Sequence, residues 1–492
     1  MLSDIDDKFF PPPSHRGSPP NLLAPRTWPG VSPASTAALQ AILTDNHKKW
    51  HIFFNDRGFH NHTAHAALTL WSLGAHETIL QKSYQVNAQE QRPAFTSPNA
   101  VSKKDWKDYL GDERYYQAYL EFFKGELQTK SISVMLEEYI FSTAANFVPG
   151  ANKQPEMLNR FMEGLLHPLI HTGFGVEFAL PGTFAEGLAQ AAVHGASSTK
   201  VIPETWFNQY ESLSSRFANA VGFGDKSTKK PVHAFTVLAR ILADPIFVPT
   251  KVAEMYGFYK TTVELLGDSI KKYVDEWTLE GDLEKSLEQL IWVNTLIYGV
   301  GGSEEPTFNA DFFHMHLVTS SVFLSSIFSH LKPSSQVLLL RSYFAVSLGW
   351  YIGRGRPALD IAGFFKNPDT VHPKAPGPEP TPHKDTYPSA TSPHAITPDP
   401  WLAILQSAAT YPDDHLPKLQ RALSEHASHF GSVRAGTFAG TELKDAELID
   451  GSLFIRTAGL TANRMGWVRE GEAPLEGSWD RRGFFKVLSS KL

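Results

Sequence analysis

Apolar residues recur at intervals of three and four along most of this sequence, and that period constrains the fold more than any other feature. It places them on one face of an α-helix, which is then buried against a neighbouring element. The segments with this period are 62–73, 121–141, 157–166, 184–193, 252–277, 283–297, 311–331, 334–349 and 401–427. The alternation typical of strands is scarce, with 452–456 as the best candidate for a strand. The pattern predicts a mostly α fold, a large single helical domain that resembles a multi-helix bundle.

Proline-rich stretches divide the chain. Eight prolines precede Ser35, and ten lie between Pro368 and Pro400. Proline has no N–H and its ring clashes with the preceding turn, so neither stretch is expected to hold a regular helix. The tail at 466–492 is rich in tryptophan, glycine and charge and is expected to be irregular. We therefore expect an extended arm at 1–35, a helical catalytic core at 36–365, a proline-rich loop at 366–400, and a C-terminal helical part at 401–492 that completes the same core and site.

The absence of cysteine excludes several kinds of site. Disulfides, zinc ribbons, iron–sulfur clusters and thiol nucleophiles all need this residue. A net charge of −6 gives no basic footprint, so no nucleic-acid partner is expected. The N-terminus carries Asp4, Asp6 and Asp7 and lacks the apolar centre of a signal peptide, and no run of 18 apolar residues predicts a membrane span. We expect a cytoplasmic protein.

Two pairs of histidines lie inside the helical patterns. His62 and His65 are three residues apart, and His167 and His171 are four apart, so each pair shares a helix face. The second spacing lets two imidazoles reach one metal ion. Pro168 lies between the members of the second pair, where it should kink the helix at His167 and free a backbone carbonyl.

Two further groups contain His316 and His415 among apolar neighbours. A single buried histidine is more often a core residue with a hydrogen-bond partner than a metal ligand. Several unpaired imidazoles in one core cost free energy, however, and a shared metal ion is a partner that satisfies all of them. Without cysteine the ligands are nitrogen and oxygen, which suits iron, copper, nickel or zinc. Glu163 and Glu177, near the second pair, are candidates for an anionic ligand or for orienting one.

Lys418 lies three residues after His415, and the pattern leaves two interpretations of it. An exposed Lys418 would pair with Asp414 one helical turn before it. A buried lysine has a lowered pKa, and its neutral amine takes up carbon dioxide to form a carbamate, which is an anionic oxygen ligand. The residues alone favour the exposed lysine.

Six segments together resemble one known family. They are FHNHTAHAALTLWSLGA, GLLHPLIHTGFGVEF, FFHMHLVTSS, GRGRPAL, YPDDHLPKLQRAL and GSWDRRGFF, and the resemblance extends from about Trp50 to Phe485. The chain resembles the fungal questin oxidase family, which is similar to the Baeyer–Villiger-type oxidases of aflatoxin clusters. This implies an oxygenase of fungal secondary metabolism that cleaves an anthraquinone-type aromatic polyketide ring by inserting dioxygen.

The resemblance also implies a mononuclear non-haem iron site. Fe(II) would be held by four histidines and a carboxylated lysine, with no flavin or haem, and NADPH would act only as a reductant. His65 and His415 would surround the metal, contact the substrate or act in catalysis, and Thr319 would hydrogen-bond the carbamate. The residues that match the metal ligands are His62, His167, His171, His316 and Lys418. The match does not settle which four histidines bind.

Three residues near these groups are candidates for contact with a flat aromatic substrate. Phe174 and Phe313 offer rings for offset stacking, although either ring is more typical of ordinary core packing. Arg354 suits a substrate carboxylate or an NADPH phosphate, and equally the negative end of the helix before it.

Other functions fit parts of the sequence. A metal-free, NADPH-dependent Baeyer–Villiger oxidase would use the histidines for acid–base chemistry, and its activity would survive chelation. A zinc hydrolase would need no dioxygen, but the sequence has no HExxH pattern. A non-catalytic helical scaffold would use its histidines only to fill the core. Serine-hydrolase chemistry is disfavoured because the GxSxG pattern is absent.

Overall fold

The computed structural model describes residues 8–14, 19, 21–209, 231–248, 258–279, 281–303, 307–377, 383, 385, 399–468, 472 and 477–485. Within these ranges the regular elements are helices, and no strand occurs. Extended segments pair only at isolated bridges, which join Trp50 to Pro93, Phe53 to His60 and Asp311 to Asp480. The predicted mostly α fold is confirmed.

The first part of the chain forms a series of helices whose ends follow from local chemistry. They are α1 Pro33–Lys49, α2 Thr63–Ser72, α3 Glu77–Asn87, α4 Tyr116–Glu126, α5 Ile132–Leu136, α6 Met157–Phe161, α7 Glu163–Glu177 and α8 Pro181–Val193. Pro33 and Pro181 occupy first turns, where the N–H that proline lacks has no helical partner. Ser32 caps α1, since its side chain accepts the N–H of Ser35.

The remaining described helices complete the fold. They are α9 Ala234–Ala243, α10 Phe258–Glu276, α11 Leu283–Thr295, α12 Phe312–Ser321, α13 Leu324–Phe328, α14 Pro333–Gly353, α15 Ile361–Lys366, α16 Pro400–Thr410, α17 His415–Phe430 and α18 Ser452–Met465. Asp311 caps α12 by accepting the N–H groups of Phe313 and His314. Asp413 caps α17 in the same way. These caps fix where the helices that carry His316 and His415 begin.

Buried apolar side chains form a core that extends from Phe9 to Trp479. Helix α14 lies deep in it, because nearly all of its residues are buried. Helices α17 and α18 contact each other, and α17 also contacts α2 and α12. The C-terminal helices therefore share one core with the N-terminal ones.

The predicted strand at 452–456 is wrong, because these residues open helix α18. Asp450 accepts the N–H of Ser452 at 2.8 Å and starts the helix. The buried residues Leu453, Thr457 and Thr461 are four apart, which is a helical and not a strand period. The window of five residues was too short to distinguish the two periods.

Several predicted helical segments are interrupted. Segment 121–141 contains α4, α5 and a wider π-helical turn at Glu137–Phe141, and segment 401–427 is divided between α16 and α17. Part of segment 252–277, at 252–257, lies outside the described residues, as do most of the proline-rich loop and parts of the predicted arm and C-terminal tail. The arm at 1–35, the irregular tail and the domain limits stay predictions.

Among the helices of the described residues, none combines the length and apolar character that crossing a bilayer requires.

The packing of α7 on α8 gives a testable prediction, because an added Cβ on a glycine of either helix would meet the backbone of the other. A Cβ atom on Gly187 would lie 2.5 Å from the backbone nitrogen of Thr172. We expect Gly187→Ala to lower the free energy of unfolding by about 1–3 kcal/mol, as overpacking does elsewhere. Chemical denaturation measures this change. Gly125→Ala in α4 is the matched control, since nothing lies within 4 Å of its added Cβ; equal loss in both variants would contradict the prediction.

A candidate metal centre

Four helices that are distant in sequence bring the predicted histidines together. Helix α2 contacts α7 and α17, and α12 contacts the same two helices. Their side chains meet in the core, where most are fully buried. The histidine cluster, as we call it, comprises His62 and His65 near the start of α2, His167 and His171 in α7, His316 in α12 and His415 in α17.

The closest approach in the cluster is between His62 and His167, whose Nε2 atoms are 2.8 Å apart. His62 Nδ1 lies 2.6 Å from Oδ2 of Asp414, and His167 Nδ1 lies 2.5 Å from the carbonyl oxygen of Gly164. Both oxygens accept hydrogen bonds, so each Nδ1 carries the hydrogen of its neutral ring. The two Nε2 lone pairs therefore face each other.

Burial keeps these two rings neutral. It lowers the pKa of His62 to about 4 and the pKa of His167 well below its usual value. A second proton on either ring at neutral pH is thus unfavourable, and no hydrogen is available for a bond between the Nε2 atoms. A cation between them would satisfy both lone pairs.

The orientation of His167 depends on a local break in α7. Gly164, Leu165 and Leu166 adopt left-handed backbone conformations, with φ of 55°, 58° and 66°. Such conformations cost leucine about 1–3 kcal/mol each. Pro168 has no N–H for the carbonyl of Gly164, four residues earlier, and the ring of His167 donates to that carbonyl instead. The predicted effects of Pro168, a kink and a freed carbonyl, are confirmed.

His316 and His415 add three further buried nitrogens without hydrogen-bond partners. His316 Nδ1 donates to the carbonyl of Phe312 at 2.7 Å, and its buried Nε2 has no hydrogen-bond partner. Neither ring nitrogen of His415 has a hydrogen-bond partner, although Nδ1 lies 3.0 Å from Oδ1 of Asp414. The ring centres of His316 and His167 are 5.0 Å apart, and those of His415 and His62 are 4.8 Å apart.

Two overlapping groups have the spacing of a metal site. Nitrogens of His60, His62 and His167 lie within 4.8 Å of one another, and so do ligand atoms of His62, Asp414 and His415. His62 belongs to both groups. The cluster is therefore suited to bind a metal ion.

Lys418 is buried and not exposed to solvent, although the predicted contact with Asp414 is present at 3.4 Å. Burial lowers the pKa of its amine, and the carboxylates of Asp414 and Asp413 act in the opposite direction. A buried amine with a lowered pKa is what carbamate formation needs. Carboxylation itself stays a prediction.

His171 differs from the other predicted ligands, because both of its ring nitrogens are occupied. Nε2 lies 2.9 Å from Oε2 of Glu186, and Nδ1 lies 3.0 Å from Nε2 of His65. The remaining nitrogen of His65, Nδ1, is buried without a partner. A ligand role for His171 stays a prediction, and its contacts point towards Glu186.

Sequence reasoning missed Glu186, His194 and His60 at this site, and it named Asp414 only as a partner of Lys418. Asp414 contacts His62, His415 and Lys418, but in the sequence it is equivalent to Asp413 as a helix cap. Glu186 and His194 lie in a segment with no other histidine nearby, so they gave no signal. His60 stacks on His167 with ring centres 3.9 Å apart and lies 2.7 Å, Nε2 to Nε2, from His194. The position of His60, two residues before His62, was the one sequence feature that could have indicated its place in the site.

The predicted carboxylates Glu163 and Glu177 have other partners. Glu163 accepts the N–H of Ser197 at 2.8 Å, and Glu177 forms a buried ion pair with Arg421. Although both residues are near His167 in the sequence, neither carboxylate lies in the histidine cluster.

The predicted substrate contacts are divided between two places. The ring of Phe174 stacks on His65, with centres 5.2 Å apart. Arg354 lies 4.3 Å above the ring of Phe313 and pairs with Asp311, and both charged groups are fully buried. That guanidinium is already neutralised, so its role in substrate binding stays a prediction. Thr319 donates to the carbonyl of His316 at 3.2 Å.

Aromatic rings that the sequence did not single out also border the cluster. Phe312 lies 4.9 Å from the rings of both His316 and His415, and Trp479 lies 6.5 Å from that of His415. They exclude water from one side of the cluster and offer flat surfaces for an aromatic molecule.

Comparison with known proteins finds a family match and relatives that are named as oxidases. Residues 59–423 match the family described as Questin oxidase-like, and this range contains the whole histidine cluster and Lys418. A questin oxidase of Aspergillus fumigatus is 26% identical over 456 residues, which cover 90% of this chain and 90% of that protein. A Baeyer–Villiger oxidase of Pestalotiopsis fici is 27% identical over 339 residues, 66% of this chain and 71% of its own. A Baeyer–Villiger oxidase of Pestalotiopsis microspora is 29% identical over 352 residues, with coverage of 68% and 74%.

The contacts of Glu186 predict a pH dependence of stability. Burial raises its pKa, but hydrogen bonds from His171 and His47 outweigh this effect and lower it to about 2, from a reference of 4.5. A depressed carboxylate pKa stabilises the fold above pH of about 4.5, and the effect is lost as pH falls towards 2. As pH falls from about 4.5 to about 2, we expect the free energy of unfolding of the wild type to decrease by about 3 kcal/mol more than that of Glu186→Gln.

Urea denaturation at a series of pH values measures this difference. The exposed Glu121→Gln is the control, and its stability should follow wild type. Parallel curves for wild type and Glu186→Gln would show that the carboxylate does not stabilise the folded state.

Proposed function

The chain belongs to the questin oxidase-like family, and from that premise we propose an oxygenase that cleaves an anthraquinone-type aromatic polyketide ring by inserting dioxygen, in fungal secondary metabolism. The family match and the names of the relatives indicate an oxidative enzyme that modifies polyketides. The iron, the bond that is cleaved and the use of dioxygen are our proposal.

One observation carries the metal part of the proposal: the facing Nε2 lone pairs of His62 and His167, 2.8 Å apart in a buried site. The unpartnered Nε2 atoms of His316 and His415 belong to rings beside this pair. Burial lowers the pKa of His62, His167 and His316, so these rings are neutral and a cation would satisfy their lone pairs together. Burial also acts to lower the pKa of His415, but the carboxylates of Asp414 and Asp413 outweigh it and raise that pKa. Several imidazoles with one anionic oxygen ligand suit Fe(II).

We assign His62, His167 and His316 as ligands, with His415 as the fourth histidine and carboxylated Lys418 as the anionic ligand. His415 replaces His171 in this set, because both nitrogens of His171 are occupied. Thr319, three residues after His316, is the proposed partner of the carbamate.

A bound Fe(II) ion would supply the one-electron chemistry that makes dioxygen reactive towards an electron-rich aromatic ring. The protein's residues hold and orient the reactants around it. Asp414 orients His62 and lies beside His415, and the carbonyl of Gly164 orients His167. Phe174 and Phe312 flank the histidine rings, where they would pack against a flat substrate and exclude water.

NADPH enters the proposal only as a reductant that converts a quinone substrate to its hydroquinone. The names of the Baeyer–Villiger relatives favour a second candidate, a metal-free oxidase that consumes NADPH in the oxygen-insertion step itself. The cytoplasmic location stays a prediction.

The first prediction of the iron proposal concerns metal content. Full-length protein purified without chelator should contain about one iron per chain by inductively coupled plasma mass spectrometry. His62→Ala and His167→Ala should each lose most of it, because each removes one of the two facing nitrogens. Lys418→Met should lower the content as well, since it removes the anionic ligand.

His76→Asn is the matched control, because His76 is exposed and caps α3 in a way that asparagine reproduces. Zinc at the expected level would favour a hydrolase. Active protein without metal would favour the metal-free oxidase. Loss of stability in His167→Ala, with no activity in any preparation, would favour a structural scaffold.

The second prediction concerns turnover. With a hydroquinone substrate we expect dioxygen consumption without NADPH, and oxygen from isotopically labelled dioxygen in the ring-opened product, measured by mass spectrometry. Chelation should stop the reaction and added Fe(II) should restore it. Activity that survives chelation and consumes NADPH in proportion to product would contradict the iron proposal.

A further inference from the structure

Outside the histidine cluster, a buried carboxylate joins two histidines on different helices. Glu186 in α8 lies 2.9 Å, through Oε2, from Nε2 of His171, and 2.6 Å, through Oε1, from Nδ1 of His47. Its side chain is only 4% exposed. The carboxylate is therefore held by α1 on one side and by α7 on the other.

Both imidazoles must donate to this carboxylate. Each oxygen of the carboxylate lies within hydrogen-bond distance of a ring nitrogen of a different histidine. An ionised carboxylate has no hydrogen to give, so it only accepts. Each ring nitrogen that faces Glu186 therefore carries a hydrogen.

The same hydrogen-bond direction extends from His171 to His65, towards the histidine cluster. With its hydrogen on Nε2, His171 has a lone pair on Nδ1, which accepts the Nε2 hydrogen of His65 at 3.0 Å. His65 Nδ1 then carries no hydrogen. This atom is buried without a partner, in a ring whose centre lies 5.6 Å from that of His62 and 6.3 Å from that of His167. The reverse tautomers would place a buried N–H there with no acceptor.

We propose that Glu186 is a positioning residue for the metal site. It accepts hydrogen bonds from His47 and His171 together, and this fixes the tautomers of His171 and His65. His65 therefore presents a lone pair, and not a hydrogen, to the cluster. The inference rests on the proposed function for its purpose, since a cation needs neighbours with lone pairs. The tautomers themselves are measured without turnover and without iron, so this proposal and the proposed oxygenase can fail separately.

The outer end of this hydrogen-bonded series reaches the protein surface. His47 lines a cavity of about 470 Å³ together with Phe10, Phe95 and Lys124, and the ring of Phe10 packs edge-on against it at 5.1 Å. A small molecule can therefore take the place of the His47 ring. This makes the donor to Glu186 Oε1 replaceable in an experiment.

The first test reads the tautomers directly. Full-length protein with ¹⁵N-labelled histidine is loaded with Zn²⁺, which is diamagnetic, and its ring nitrogens are observed by long-range ¹H–¹⁵N correlation. We expect hydrogen on Nε2 of both His171 and His65 in the wild type. His171→Asn and His65→Asn identify the two sets of signals by their loss.

Glu186→Gln is the decisive variant, because an amide has one acceptor and one donor and cannot accept from both imidazoles. We expect the ring hydrogen of His171 or of His47 to move to the other ring nitrogen. If it moves in His171, the ring hydrogen of His65 should move as well. Thr183→Val, an isosteric change of a buried residue in the same helix, should leave all three unchanged. A hydrogen on Nδ1 of His171 in the wild type, or unchanged signals in Glu186→Gln, would overturn the proposal.

A second test applies if Glu186→Gln does not fold. His47→Ala removes the outer donor, and we expect a lowered melting temperature that 4-methylimidazole restores with saturation. 1-Methylimidazole is the matched control, because its neutral form has no N–H to donate to Glu186. Equal rescue by both compounds, or rescue of Thr183→Val, would show that cavity filling and not hydrogen bonding to Glu186 is responsible.

Discussion

The structure depends on a contact that is unfavourable by itself: two neutral imidazole nitrogens with lone pairs directed at each other in the protein interior. His62 and His167 are held in this arrangement because their Nδ1 hydrogens are already bound, to Asp414 and to the carbonyl of Gly164. Burial opposes protonation of both rings, so the repulsion is not relieved by an added proton. A site with these properties could hold a cation between the two rings.

Backbone strain contributes to the same arrangement. The left-handed residues before His167 are unfavourable for leucine, and the hydrogen bond from His167 to the carbonyl of Gly164 offsets part of that cost. Gly164 adds a second requirement, since a Cβ there would lie 2.8 Å from Nε2 of His60. The segment is thus shaped by three imidazoles that approach it closely, and not by helix propensity.

Two carboxylates at the cluster each contact more than one nitrogen group. Asp414 is in contact with two histidines and with Lys418, so one partly buried carboxylate is shared among three nitrogen groups. Glu186 is shared between two others. A buried carboxylate is costly without partners, and sharing it among several donors satisfies its oxygens while fixing the rings that donate.

The sequence by itself determined the helical fold, the residues that form the cluster, the family, and the effect of Pro168, because periodicity, spacing and motifs are local properties of the chain. It could not assign Asp414 over Asp413 or detect Glu186, since these depend on which side chains meet across α2, α7, α8, α12 and α17. It misassigned 452–456 because five residues fit either period. Only the tertiary structure decided the direction of His62, His167 and His171, since a tautomer is set by its hydrogen-bond partner, and their partners lie on other helices or on a backbone carbonyl that a kink has released.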